Sequence, residues 1–170
     1  MIRVCATVAA LACLTCTALA ANDPADSAAV SNEDGKYFDK DDNPTYSIKE
    51  DGTVDWYTYS GFRRYHSECH VCHGPEGLGS SYAPALVDSM KAMDYASFLD
   101  VVTNGRQQVS ESQQSVMPGF GTNVNVMCYI DDIYVYLRAR ADGKLPPGRP
   151  KKREDKNPAV TEAENACLGH

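Results

Sequence analysis

Cys69-His70-Val71-Cys72-His73 places two thiols three positions apart, with an imidazole directly after the second. Both thiols can add to the vinyl groups along one porphyrin edge, and the imidazole can then reach the iron from the same side. The run therefore reads as the attachment site of one covalent haem c, with Cys69 and Cys72 as the thioether positions and His73 as the proximal ligand. The competing chemistry is zinc, for which Cys69, Cys72, His66, His70 and His73 are all competent donors. Structural zinc usually recruits a second C-x2-4-C or H-x3-5-H pair, and none follows downstream.

A haem so attached needs a second axial donor or an open position. Of the five methionines, Met117 suits the role best, because Pro118 fixes the backbone beside it and it lies between two expected helices. Met127 falls on an expected helix and reads as a packing residue, and Met90 and Met93 follow the haem loop closely and read as core or surface residues. A thioether opposite His73 would raise the reduction potential and suit one-electron shuttling.

Haem attachment of this kind takes place outside the bacterial cytoplasmic membrane, and the N-terminus agrees. Met1-Ile2-Arg3 is a short basic start, Val4 to Leu14 an apolar core, and Ala18-Leu19-Ala20 a small-residue cleavage site. Counted generously, the apolar run from Val4 to Ala21 is 18 residues, just long enough for an uncleaved anchor. Export with cleavage near Ala20 is the better reading. Cleavage removes three of seven cysteines, and haem takes two more. Cys128 and Cys167 remain, an even pair that reads as a disulfide in an exported chain. Closing a loop of about 40 residues would contribute about 4 kcal/mol.

The elements that must position these residues are mostly helical. Trp56 to Glu68 reads as a helix ending at the motif, and Gly74 to Leu86 as a loop. Asp94 is an expected N-cap for a helix that Asn104-Gly105 stops. Arg106 to Ser115 reads as a polar stretch. Asn125 to about Ala141 reads as one last helix, with Ile130, Ile133, Tyr134 and Leu137 at helical spacing. An extended basic tail follows from Pro150. Upstream, Ala21 to Gly35 reads from its Ala/Ser/Asp/Asn composition as a mobile leader, and Tyr37 to Trp56 alternates short apolar stretches with Asp/Asn/Pro/Gly turns, which suggests a small hairpin or meander. Asp39, Asp41, Asn43 and Glu50 also occupy positions 1, 3, 5 and 12 of a calcium-type loop. Pro44, however, stands where that loop needs glycine, so the hairpin turn is preferred.

The net charge is −7, which argues against a nucleic-acid partner. Asn22 to Ser60 carries ten acids against three lysines, whereas Arg138 to Lys156 carries eight basic residues against three acids. Solvation explains most such charges; the asymmetry could also orient the molecule toward a charged partner.

Gly61-Phe62-x-x-Tyr65, His73-Gly74-Pro75-x-Gly77-x-Gly79, Ala83-Pro84-x-Leu86 and Asn104-Gly105-Arg106 followed by Met117-Pro118-x-Phe120 together resemble the class I cytochromes c over about Trp56 to Ala141. That resemblance implies a mainly α fold around one covalent haem. It also implies that Gly61 lets the C-terminal helix cross closely, and that the Pro84 carbonyl accepts the Nδ1 proton of His73. A narrower resemblance rests on Asp51 to Gly61, Asn125 to Asp132 and Leu137 to Gly143. These are similar to the methanol-metabolism-related c-type cytochromes, which resemble in role the cytochrome cL acceptors of quinoprotein methanol dehydrogenases.

The expected organisation is a signal peptide over 1–20, an acidic extension with a short β-hairpin over 21–55, a cytochrome c domain over 56–141 and a disulfide-tethered basic tail over 142–170. The expected function is periplasmic transfer of single electrons from a pyrroloquinoline-quinone (PQQ) alcohol dehydrogenase to a downstream cytochrome c or terminal oxidase, without a membrane anchor. No paired carboxylates, nucleophile–base pair or substrate motif suggests an enzyme. The alternatives are a general carrier unrelated to alcohol oxidation and a small haem peroxidase with an open iron position.

Overall fold

The computed structural model describes residues 24–110 and 113–169; the expected signal peptide lies outside them. Strands β1 (Ser31–Glu33), β2 (Lys36–Phe38) and β3 (Pro44–Thr45) form an antiparallel sheet in that order, so the extension does hold a small meander, but its first strand lies within the stretch expected as a leader, where pairing with β2 orders it. Between β2 and β3, Asp39 is used to build the turn. Its carboxylate accepts from the backbone N–H groups of Asp41 at 2.8 Å and Asn43 at 2.9 Å.

Strand β4 (Thr53–Val54) leads into α1 (Trp56–Glu68), whose N-terminus is fixed by Asp55. This carboxylate accepts from the Thr58 N–H at 2.8 Å and hydroxyl at 2.6 Å, and from the Ser47 N–H at 2.7 Å. One buried side chain thus caps the helix and ties the extension to it. The motif helix α2 (His70–His73) follows, then α3 (Leu86–Ser89) and α4 (Tyr95–Asn104). Asp94 caps α4 by accepting from the Ser97 N–H at 2.7 Å, and Gly105 ends it, as its sequence implies.

Three features depart from expectation. The polar stretch after Gly105 pairs as an antiparallel ribbon of β5 (Arg106–Ser110) and β6 (Gln113–Met117), with Arg106 opposite Met117. The last core helix is broken into α5 (Val124–Met127) and α6 (Ile130–Ala141). Asn123 caps the first piece, Tyr129 leaves helical geometry at φ −132°, and Cys128 is bonded to Cys167. The tail is ordered: β7 (Lys152–Arg153) pairs parallel with β4, and α7 (Pro158–Leu168) returns Cys167 to Cys128. The expected bridge is therefore present, and the tail is folded where an extended one was expected.

Helices α1 and α6 cross at the centre of the core. Tyr65 and Tyr136 are fully buried with ring centroids 5.4 Å apart, and Phe62 meets Tyr136 edge-on at 5.8 Å. A Cβ on Gly61 would stand 1.8 Å from the Asp132 carbonyl oxygen, so only glycine admits this crossing. Val54, Leu145 and Val160 are also buried, so the extension and the tail pack with the helical body.

Asp132 lies in the same crossing, and burial pushes its carboxyl up to about 8, against the Ser60 hydroxyl that hydrogen-bonds it. A folded-state value above the ordinary carboxylate range makes the native protein bind the proton more tightly than the unfolded chain does. Its contribution to stability is complete only below the ordinary value of 3.8 and is lost as pH rises from there through about 8. Chemical denaturation of wild type and Asp132→Asn across that window should show the variant gaining on wild type as pH rises. A constant difference would refute the assignment.

Candidate functional site: the C-x-x-C-H loop and the Met117 segment

The site is assembled from the end of α1, α2 and the loop behind it. The Cys69 N–H continues the helix to the Tyr65 carbonyl at 2.9 Å, and the His73 N–H reaches the Cys69 carbonyl at 3.0 Å. The motif is thus wound as one turn, bringing both thiols and the imidazole to one end of α1. Beyond it the Gly79 N–H bonds the His73 carbonyl at 2.8 Å, the Tyr65 hydroxyl donates to the Gly74 carbonyl, and the Ser80 hydroxyl donates to the Cys72 carbonyl. These bonds fold the loop back over the motif.

His73 is buried, and its Nδ1 lies 3.1 Å from the Pro84 carbonyl oxygen. A carbonyl can only accept, so Nδ1 carries the proton and Nε2 keeps its lone pair. Cys69 and Cys72 are unpaired, unlike Cys128 and Cys167. Burial, aided by Glu68 and Cys72, pushes the Cys69 thiol up to about 12, which disfavours the thiolate that zinc would need. Among the described residues no group of three or more His, Cys, Asp or Glu side chains is arranged around a metal position.

Met117 ends β6 and is strapped against α4. The Phe120 N–H bonds the Val102 carbonyl at 2.8 Å, and the Gly121 N–H bonds the Thr103 carbonyl at 3.0 Å. Gly105 makes the approach possible. At φ +77° it turns the chain out of α4, and a Cβ there would lie 2.5 Å from the Met117 carbonyl oxygen. Met117 is partly buried and, like Cys69, Leu86 and Phe120, packs against the core. Met90 is 1% exposed inside that core, where its carbonyl accepts from Arg138 at 2.8 Å. Met93 and Met127 are partly buried against the core.

The donor set suits a haem, and so does the lining. Val71, Leu78, Tyr82 and Val116 are all more than 60% exposed. They come from the motif, its loop and the Met117 strand, the segments that a flat apolar ring would adjoin. Sequence reasoning missed the ribbon that carries Met117, since glutamine and serine give little strand signal.

A family model described as "Cytochrome C oxidase, cbb3-type, subunit III" matches residues 58–137. With this fold, this motif and the relatives below, the chain belongs to the c-type cytochromes, mainly helical electron carriers with covalently bound haem c. It is 50% identical to the c-type cytochrome XoxG of Methylobacterium extorquens AM1, whose crystal structure it matches with a TM-score of 0.79 over 89% of this chain and 95% of that one. It is 39% identical over 100 residues to cytochrome c-555 of Methylococcus capsulatus, covering 58% of this chain and 75% of that protein. It is also 55% identical over 136 residues to cytochrome c-553I of Paracoccus denitrificans, covering 80% of this chain. The match spans only 60% of that longer protein. The likeness to XoxG reaches beyond the helical body, as the narrower sequence resemblance implies. Among the described residues no helix is long and apolar enough to cross a membrane.

Proposed function

We propose that this cytochrome is a periplasmic carrier of single electrons, its haem held by Cys69 and Cys72 with His73 and Met117 as axial ligands. The observation that carries the ligation is the bond from His73 Nδ1–H to the Pro84 carbonyl. It holds the imidazole in the tautomer and orientation whose Nε2 can bind iron. When bound, the haem supplies a one-electron couple. The chain's own part is to fix the two donors, to favour the reduced form through the Met117 thioether, and to limit water through the packing of Leu86 and Phe120. Residues 1–20 serve as the export signal in this reading, 21–55 as the acidic extension, 56–141 as the haem-bearing body and 142–170 as the tethered tail.

The proposed donor is a PQQ-dependent methanol or alcohol dehydrogenase, and the proposed acceptor a downstream cytochrome c or terminal oxidase. Support comes from the similarity of Asp51 to Gly61, Asn125 to Asp132 and Leu137 to Gly143 to the methanol-metabolism-related cytochromes. Each alcohol oxidised to an aldehyde releases two electrons, so two successive encounters are needed. Stopped-flow mixing of the oxidised cytochrome with alcohol-reduced dehydrogenase from the same organism tests the donor. Haem reduction should be at least about tenfold faster than for an unrelated class I cytochrome, because matched charges steer encounter. Equal rates would leave a general carrier.

A further inference from the structure

Although the chain is acidic, its ordered tail builds one basic surface. Pairing of β7 with β4 turns alternate side chains to opposite sides. Lys152 meets Asp51 at 3.0 Å, and Glu154 meets Lys49 at 2.9 Å. Lys151 and Arg153 face the other way, toward α1. The Arg153 guanidinium lies 4.9 Å from the Trp56 ring centroid and 5.2 Å from that of Tyr59, and Arg149 lies 5.6 Å from the same Tyr59 ring and donates to its hydroxyl. The Tyr59 hydroxyl is held below its ordinary value by that bond and by the charges of Arg149, Arg153 and Arg63. Tyr59, Arg149, Pro150, Lys151 and Arg153 line an open groove of about 540 Å³.

Among the described residues, none of Arg63, Arg149, Lys151 and Arg153 forms an ion pair, whereas their neighbours Lys152 and Lys156 do. All four are exposed. Strand pairing and aromatic contacts hold Arg153, and the Tyr59 ring and hydroxyl hold Arg149, so these two guanidiniums have little entropy left to lose on binding. Guanidinium forks so arranged match carboxylates.

We infer that Arg63, Arg149, Lys151 and Arg153 form a docking surface for the carboxylate-rich face of a protein redox partner. The inference rests on the carrier reading, because its position matters only if haem hangs from Cys69 and Cys72. Tyr59, Arg63 and Ser67 follow one another at four-residue spacing along α1 and lead to Val71, which is 73% exposed beside exposed Cys72. Tyr59 and Cys69 are about 15 Å apart along the helix. Redox interfaces are small, under about 600 Å² per partner and so roughly 25 Å across, which still lets one partner cover both the arginines and the attachment edge. An anionic membrane is disfavoured, because none of the residues lining the groove is an exposed large hydrophobic that could enter a bilayer.

Nuclear magnetic resonance titration of the haem-loaded mature protein with an octaglutamate peptide tests this at low salt. Amide shifts should concentrate at Tyr59, Arg63 and 149–153. Arg149→Gln/Lys151→Gln/Arg153→Gln should weaken binding at least threefold, while Arg149→Lys/Arg153→Lys, which keeps the charge and loses the fork, should weaken it less. In parallel, one-electron oxidation of the reduced protein by hexacyanoferrate(III) should slow in the Gln variant, and oxidation by cationic tris(phenanthroline)cobalt(III) should not. Shifts elsewhere, equal binding by the Gln variant, or a response to phosphatidylglycerol-containing vesicles without one to the peptide would overturn the inference. Loss of the haem spectrum or of a reversible couple in wild type would instead refute the carrier reading.

Discussion

Gly61→Val should leave the protein unable to hold its native helix crossing. The first added carbon already falls 1.8 Å from the Asp132 carbonyl oxygen and 2.8 Å from the Tyr136 Cβ. The obstacle at the closer contact is backbone, so no rotamer change relieves it. Helices α1 and α6 must move apart, which exposes Tyr65, Tyr136 and Leu137, each at most 1% exposed in the native protein. Overpacking a core costs about 1–3 kcal/mol when neighbours can yield, and here they cannot. The loss should exceed about 3 kcal/mol, a large share of the roughly 5–15 kcal/mol that holds a domain together. Urea unfolding measures it, with Ser67→Ala on the exposed face of α1 as the comparison, expected within about 0.5 kcal/mol. Near-equal midpoints for the two variants would show that the crossing is looser than described.

Much of the haem-bearing body is legible locally. The ends of α1 and α4 follow from Asp55, Asp94 and Gly105, because caps and stops act over three or four residues. The Pro84 carbonyl and the Cys128–Cys167 bridge also lie where the sequence implies. What could not be read depends on distant partners. The apolar spacing of α6 runs back through Tyr129 into α5, and the break there becomes intelligible only with Cys167 attached at Cys128. The ribbon of β5 and β6 is specified by its pairing and by the end of α4, not by residue types. Helix α7 is a different failure, since its signals were present. Asn157 caps it, Pro158 stands at its first turn and Gly169 ends it in left-handed geometry. The basic, Pro-containing run before it carries the composition of an extended, solvated tail. The candidate docking arginines were missed for the same reason: a basic tail reads as solvated until β4 is seen to align it.

The second large effect concerns Met117. Its replacement by alanine should remove the proposed sixth donor while leaving the fold intact. The strap to α4 uses backbone bonds of Phe120 and Gly121 and the close approach at Gly105, none of which needs the thioether. With His73 alone, the ferric form should become five-coordinate or bind water, and the reduced form should bind carbon monoxide at neutral pH. The reduction potential should fall by about 0.1 V or more, within the roughly 0.8 V range that axial ligands set. Met127→Ala and Met93→Ala should leave the coordination unchanged. The most direct measurement is the near-infrared absorption of the oxidised protein, where a weak band reports methionine sulfur on ferric iron. The band should be present in wild type, retained in Met127→Ala and lost in Met117→Ala. Its persistence in Met117→Ala, or its absence from wild type, would contradict His73–Met117 ligation.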